Sequence, residues 1–309
     1  MKRFLFFLLL PLFAQTGFAQ SASVEHSPRL VLETSSQPWA TLAFNWDFGF
    51  PLQGETPLTY GNNVTVSPGL LLSPSSLNLT VDATWTPVSF AELSAGGRIG
   101  SGWNPGSVYG IGLNRASDTD GAAFHDGDAF DGALWEIGAG LTLLLEPHML
   151  GLELPHGLDR LFLQSFHGIS HAGYSRAGSD EAWFYANDDG ENRNGVSYRG
   201  NLLIGYRQLA FLNMVGLMAQ GDLFLNGPSH WHRSCMGDDL VRWTFSLLAN
   251  FNAHERIDIT LGLDLETRRQ FRLSDEPGWD DLHFSHRTLS TRAPRIGFGR
   301  VYAIVTYQF

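Results

Sequence analysis

The chain has 309 residues, 31 of them acidic against 20 basic, and a single cysteine, Cys235. A net charge of −11 argues against nucleic acid as a partner, and one cysteine excludes an intramolecular disulfide. Beyond Phe13 no stretch stays apolar for the ~20 residues of a helical span, so any later membrane crossing must be made by strands.

The N-terminus reads as an export leader. Lys2 and Arg3 form a short positive region, Phe4 to Phe13 is an apolar run broken only by Pro11, and Gly17-Phe18-Ala19 supplies small residues where a signal peptidase cuts. The run is too short for an uncleaved anchor, so residues 1–19 are expected to be a signal peptide cleaved after Ala19, and 20–309 one domain. Loss of Lys2 and Arg3 takes the net charge to −13. No cysteine lies near the cut to carry a lipid.

From there a two-residue alternation returns along the chain. Leu42, Phe44, Trp46 and Phe48 alternate with Thr41, Ala43, Asn45 and Asp47, and Leu77, Leu79, Val81, Ala83 and Trp85 with Asn78, Thr80, Asp82 and Thr84. The segments VRWTFSLLANF (241–251) and IDITLGLDLE (257–266) repeat the pattern. Each is a strand with one apolar and one mostly polar face. About 12 such segments are predicted: 28–35, 38–50, 62–73, 76–87, 89–101, 131–146, 159–173, 194–207, 210–225, 238–252, 256–270 and 293–309. Most reach the ~9–11 residues a tilted strand needs to cross a bilayer, longer than the usual soluble strand. SVYGIGLN (107–114) is either a further short strand or an ordered hairpin within a loop.

Connection lengths alternate as well. The joins near 102–130, 174–193, 226–237 and 271–292 are long and polar, while those near 86–88, 208–209 and 253–255 are tight; 147–158 is the exception and predicts a small extra element. Outer-membrane barrels place short turns and both termini in the periplasm and long loops outside. Trp39, Trp46, Trp85, Trp135 and Trp243, with Tyr198, Tyr206, Tyr302, Tyr307 and Phe309, fall at or near segment ends, where rings suit the headgroup level. The fold expected is therefore all-β, a transmembrane antiparallel up-and-down β-barrel of about 12 strands. A secreted β-sandwich with ordinary core aromatics is the rival.

The last segment ends VYAIVTYQF, with Val301, Val305, Tyr307 and Phe309 on one face. It resembles the C-terminal strand of bacterial outer-membrane β-barrel proteins, which ends in an aromatic residue with apolar residues at alternate positions before it. The resemblance implies that these four residues form the signal read by the barrel-assembly machinery. DDGENRNGVSYRGNLLIGYR (188–207) with SAGGRIGSGW (94–103) is similar to outer-membrane barrels of spirochaetes, a likeness that implies no activity.

Charges on the polar faces are the candidate lumen residues: Asp47, Asp82, Glu92, Arg98, Glu136, Arg199, Arg242, Asp258, Asp264, Glu266 and Arg300. Facing lipid, such groups would cost about 2–4 kcal/mol each near the midplane, so they are expected inside. They either plug a narrow barrel or line a pore, since about 12 strands lies between closed and open barrels. Arg242 is expected opposite Asp264 or Glu266 across the turn at 253–255.

Other motifs carry less. In FHGISHAGYS (166–175) His167 and His171 share a face but stand about 13 Å apart at ~3.3 Å per residue, and Ser170 points the other way. The loop 116–133 holds Asp118, Asp120, Asp126, Asp128 and Asp131, but Phe130 falls on a ligand position of the helix-loop-helix calcium register. His230, His232 and Cys235 could meet on a metal, yet in an exposed loop they read as a hydrophilic surface. No cofactor, metal or catalytic residue is assigned. The functional expectation is a narrow porin-like channel for small polar solutes, in contact with outer-membrane lipid and the assembly machinery. The alternative is a surface-exposed binding or adhesion barrel with a plugged lumen, and the third reading is an outer-membrane lipid hydrolase.

Overall fold

Alternation fixes which face of each strand is apolar, and closure of the strands into a ring gives all those faces one direction. A computed structural model of the protein describes residues 24–36, 39–52, 54, 59, 61–106, 108, 110–116, 123–147, 157–178, 181–186, 192–207, 212–225, 239–273 and 287–309, with backbone alone at 39, 114–116, 123–126, 271–273 and 287–290. Twelve strands form a closed antiparallel barrel: β1 (Glu25–Ser35), β2 (Trp39–Pro51), β3 (Asn63–Ser73), β4 (Ser76–Val88), β5 (Ala91–Gly102), β8 (Leu134–Leu145), β9 (Leu161–Tyr174), β11 (Gly195–Arg207), β12 (Met214–Phe224), β13 (Arg242–His254), β14 (Ile257–Leu273) and β15 (Arg287–Gln308). Each corresponds to one of the twelve segments expected from sequence. Sequential strands pair throughout, and β1 closes the ring by pairing with both neighbours, Leu30 lying opposite Phe44 of β2 and Tyr307 of β15.

The remaining strands, β6 (Ile111–Ala116), β7 (Ala123–Asp126) and β10 (Trp183–Tyr185), form a separate three-stranded sheet in the order β10-β6-β7. The 107–114 piece is therefore part of an ordered loop element rather than a wall strand. An even number of wall strands brings both termini to one end, called here the terminal end. The β5–β8, β9–β11, β12–β13 and β14–β15 connections lie at the other, the loop end. At the terminal end β4 joins β5 through Ser89 and Phe90, and β13 joins β14 through Glu255 and Arg256.

The apolar residues lie on the outside. Leu79, Ile137, Ile169, Ile204 and Leu217 are all more than half exposed, Ile137 by 64% and Leu217 by 65%. A soluble sandwich would bury these side chains, whereas a bilayer takes them as its contact surface. A break in the β14–β15 ladder between Leu263 and Leu265 lets both Val301 and Phe298 face outward although they are three positions apart.

Candidate functional site

Inside the wall, charges are arranged in short ladders across neighbouring strands. On β1–β3, Arg29 Nη2 donates to Asp47 Oδ1 at 3.0 Å and Ser67 Oγ donates to the same oxygen at 2.6 Å. On β5–β8, Arg98 Nε lies 2.9 Å from Glu136 Oε2. On β11–β12, Arg199 Nε donates to Asp222 Oδ1 at 2.6 Å, and Gln220 Nε2 donates to Oδ2 at 2.8 Å. The largest ladder crosses the closure. Ser246 Oγ donates to Asp264 Oδ1 at 2.7 Å, Arg300 Nε to Asp264 Oδ2 at 3.1 Å, and Arg300 Nη1 to Glu33 Oε1 at 3.0 Å. It links β13, β14, β15 and β1, and Arg300 also sits over the Tyr302 ring at 4.7 Å. Each ladder carboxylate has a guanidinium partner, with Arg300 shared between Asp264 and Glu33, so opposite charges can share the interior.

The other candidate residues take these places. Glu92 stands in register with Thr142 beside outward-facing Leu93. Asp258 accepts from Asn250 Nδ2, which also donates to Thr260 Oγ1 at 2.9 Å. Glu266 pairs with Arg268 at 2.7 Å. Val301 and Phe309 face outward, the backbone N–H of Phe309 donates to the Pro28 carbonyl at 3.2 Å, and its ring meets Tyr307 edge-on at 4.9 Å. Val305 stands opposite Leu32 of β1 and Ile259 of β14.

Arg242 requires a correction. It faces neither Asp264 nor Glu266: those stand opposite Ser246 and Thr244, and Arg242 is in register with Asp222 on its other neighbour, β12. The hairpin turns at Glu255-Arg256, later than the 253–255 expected, and moving a hairpin's centre by one residue moves every cross-strand partner by two. Arg29, Glu33 and Asp222 also belong to the ladders, and Tyr302, expected among the rings at the headgroup level, is instead buried inside the barrel beneath the Arg300 guanidinium. For Arg29, Glu33 and Tyr302 the signal is parity, each alternating with an outward apolar residue of its strand; on β12 both faces carry apolar residues, and parity does not mark Asp222.

Two of the ladders, Arg98–Glu136 and Arg199–Asp222, line a chamber of about 780 Å³ together with Asp82 and Arg242. The three-stranded sheet roofs it from the loop end, with Trp183 and Arg193 reaching its lining. Ile111, Leu113, Trp183 and Tyr185 of the sheet are buried together with Leu134 and Tyr174 at the loop-end limits of β8 and β9. Tyr185 Oη donates to Asn78 Oδ1 of β4 at 2.7 Å, and the Arg98 guanidinium lies 5.9 Å from the centre of the Tyr185 ring. Burial pushes the Tyr185 phenol above its usual range, outweighing the opposite pull of Ser76, Asn78 and Arg98.

Toward the terminal end the inward faces become apolar. Phe162, Leu203, Leu248 and Tyr302 are buried together, packed by Leu144, Met214, Met218 and Ile304. Leu144, Phe162 and Met214 lie at or next to the terminal-end limits of their strands. The rings lie flat on cross-strand glycines: a Cβ on Gly205 would come within 2.2 Å of the Phe162 ring, and one on Gly262 within 2.1 Å of the Tyr302 ring. Glycine there makes room for an aromatic side chain against the wall.

His167 and His171 face outward with Ile169. His167 Nδ1 is 2.6 Å from Tyr198 Oη, and His171 stacks on Trp135 at 4.7 Å between ring centres. Ser170 Oγ is instead 3.0 Å from Ser197 Oγ. Among the described residues no group of three or more His, Cys, Asp or Glu side chains could hold a metal ion. Residues 1–19, Asp118, Asp120, His230, His232, Cys235 and most of 147–158 lie outside the described residues, as do the side chains of Trp39 and Asp126.

An apolar outer wall, charge ladders inside and a closed antiparallel ring together define a β-barrel of the bacterial outer-membrane type. No protein-family model matches the chain, and no curated protein matches it. Similar solved structures include the β domain of the Bordetella autotransporter BrkA, at 12% identity and a TM-score of 0.45 over 92% of this chain and 98% of that one. OmpT of Vibrio cholerae is similar at 6% identity and a TM-score of 0.34, covering 94% and 99%. The Pseudomonas putida toluene transporter TodX is similar at 9% identity and a TM-score of 0.34, covering 94% and 90%. Identities this low bring no activity with them.

Proposed function

We propose that the protein resides in the bacterial outer membrane, after export by a cleaved leader, and forms a narrow passive pathway for small polar solutes. The observation that carries this reading is the charged chamber inside a wall whose outer face is apolar. Paired charges of both signs keep an interior wet without the cost of isolated buried ions. The long connections at the loop end face outward from the cell, the termini face the periplasm, and the strand ending at Phe309 is the segment the assembly machinery engages. No catalysis is assigned, because Ser170 bonds a second serine while His167 and His171 turn to the opposite face.

Planar-bilayer recording of the refolded protein is the test. Small discrete conductance steps support the pathway. The second reading, a surface-exposed binding barrel with a plugged lumen, is favoured by the sheet seated at the loop end and the apolar cluster at the other. Complete absence of conductance from demonstrably inserted barrels would hand the argument to it, and release of fatty acid from phospholipid vesicles would favour a hydrolase over both.

A further inference from the structure

Two inward carboxylates stand apart from the ladders. Asp82 on β4 and Glu92 on β5 make no hydrogen bond or ion pair among the described residues. Asp82 is in register with Gly96, and Glu92 lies four residues further along β5, about 13 Å at ~3.3 Å per residue. Between them runs a row of hydroxyls: Thr65 of β3 pairs with Thr84 of β4, and Thr84 with Ser94 of β5. Every one of these side chains can accept a hydrogen bond, and none is positively charged.

The wall across the lumen is apolar at the same depth. In a ring of twelve, β13 stands six positions from β4 and β14 six from β5. Leu248 belongs to β13, and the Tyr302 ring lies against Gly262 of β14. Leu203, Leu248 and Tyr302 are four to six residues from the terminal-end limits of their strands, as Asp82 and Thr84 are from theirs. The acceptor track is thus confined to one side of the lumen, and the low-dielectric surface facing it concentrates the field of its carboxylates.

The positive charges are either held or distant. Arg29, Arg207 and Arg300, the inner-wall arginines of the terminal half among the described residues, hold Asp47, Glu146 and the two acids of the closure ladder. Arg160 and Arg256 lie in connections between wall strands. Of the five arginines lining the chamber, Arg98 is held by Glu136 and Arg199 by Asp222, while Arg193, Arg242 and Arg269 sit toward the loop end. Arg242 is twelve residues above the terminal-end limit of β13 and Glu92 one above that of β5. Along strands tilted by about 40° this separates them by roughly 25 Å of the barrel axis, beyond the ~8–10 Å over which exposed charges act through salt solution. Asp258, beside the terminal-end limit of β14, accepts from Asn250 and has no arginine partner among the described residues, so it adds to the negative side.

We infer that the pathway selects small cations, which follow the β3–β5 wall between the chamber and the terminal end. A cation leaving the chamber meets Asp82, then the oxygens of Thr65, Thr84 and Ser94, then Glu92. An anion on the same path meets two carboxylates that no guanidinium neutralises. Metal ions and the ammonium groups of small solutes find the same chemistry there. The inference rests on the channel reading and names the class of solute it passes.

Reversal potentials of the refolded full-length protein in planar bilayers, under a potassium chloride gradient, test it. Potassium should permeate at least about fivefold more readily than chloride, the factor that one carboxylate about 4 Å away supplies in bulk water. Asp82→Asn combined with Glu92→Gln should bring the ratio close to one, whereas Asp82→Glu combined with Glu92→Asp, which keeps both charges, should retain the preference. A wild-type ratio of one or below would overturn the inference, as would a conducting neutral double variant with the ratio unchanged. The wild-type measurement needs no variant, so a double variant that fails to fold leaves the inference open to refutation. Conductance without cation preference defeats the cation track and spares the channel; inserted barrels that pass no current defeat both.

Discussion

Replacing Arg300 with glutamine asks how much the barrel's closure depends on its charge ladder. The substitution removes ion pairs to Asp264 at 3.1 Å and to Glu33 at 3.0 Å across the two interfaces of β15. Asp264 is only 6% exposed and keeps a single neutral partner, Ser246, once the guanidinium is gone. Breaking a fully buried pair costs about 3–5 kcal/mol, while an exposed pair contributes ~0–1 kcal/mol. The Arg300 side chain is 38% exposed, which places this ladder between the limits, at about 1–3 kcal/mol. The Arg268–Glu266 pair, with side chains 57% and 36% exposed, is the internal control, and Arg268→Gln should cost no more than about 0.5 kcal/mol. Urea unfolding in lipid bilayers, followed by tryptophan fluorescence, measures both. Adding Asp264→Asn to Arg300→Gln should recover much of the loss, because the stranded carboxylate is then neutral. An Arg300 variant as mild as the control, or one the second change fails to rescue, would refute the reasoning.

Four shorter expectations follow from the same geometry. Gly262→Ala places a Cβ within 2.1 Å of the Tyr302 ring and should destabilise the barrel by about 1–3 kcal/mol, with Tyr302→Ala largely reversing it in the same unfolding assay. Because burial raises the Tyr185 phenol, its contribution is fully present below the unfolded value near pH 10 and is lost as pH climbs through the higher folded value. Protease protection of the roof sheet should therefore fall above about pH 10, and Tyr185→Phe should remove that dependence. Arg242→Glu should shift the reversal potential in a salt gradient toward cations with little change in melting temperature; an unchanged potential in a conducting variant would deny this arginine a role in selectivity. Deleting Phe309 removes a bond to Pro28 and an edge contact with Tyr307, and should lower the amount of heat-modifiable barrel in outer-membrane fractions while leaving export intact.

The wall was legible because alternation survives wherever lumen and lipid demand different chemistry. In IDITLGLDLE every second residue is apolar, and that parity assigns β14 without further information. Partners were harder to read. A cross-strand pair depends on where a hairpin turns, and the later turn at Glu255-Arg256, with the register shift between Asn252 and His254, sets β14's acids opposite Thr244 and Ser246; the β12–β13 pairing separately puts Asp222 beside Arg242. Asp222 itself was hidden in MVGLMAQGDLF, where Met214 and Met218 make the inward face as apolar as the outward one. The apolar terminal end of the lumen escaped for the same reason, since a reading that equates polar with inside has no place for Phe162 or Leu203. The roof was visible only as a strand-like fragment at 107–114; its partner Trp183–Tyr185 is short and distant in sequence.

The most direct test of the account is thiol accessibility in proteoliposomes, using a membrane-impermeant charged reagent and a Cys235→Ser background. Single cysteines at Leu79, Ile137 and Leu217, exposed by 59%, 64% and 65%, should stay unlabelled because lipid covers them. Cysteines at Asp82 and Arg242, lining the chamber, should react in the presence of the same bilayer. Labelling of the leucine and isoleucine positions with protection of Asp82 and Arg242 would mean the barrel turns its charges to a dry interior and its apolar wall to water, and would contradict the account at its root.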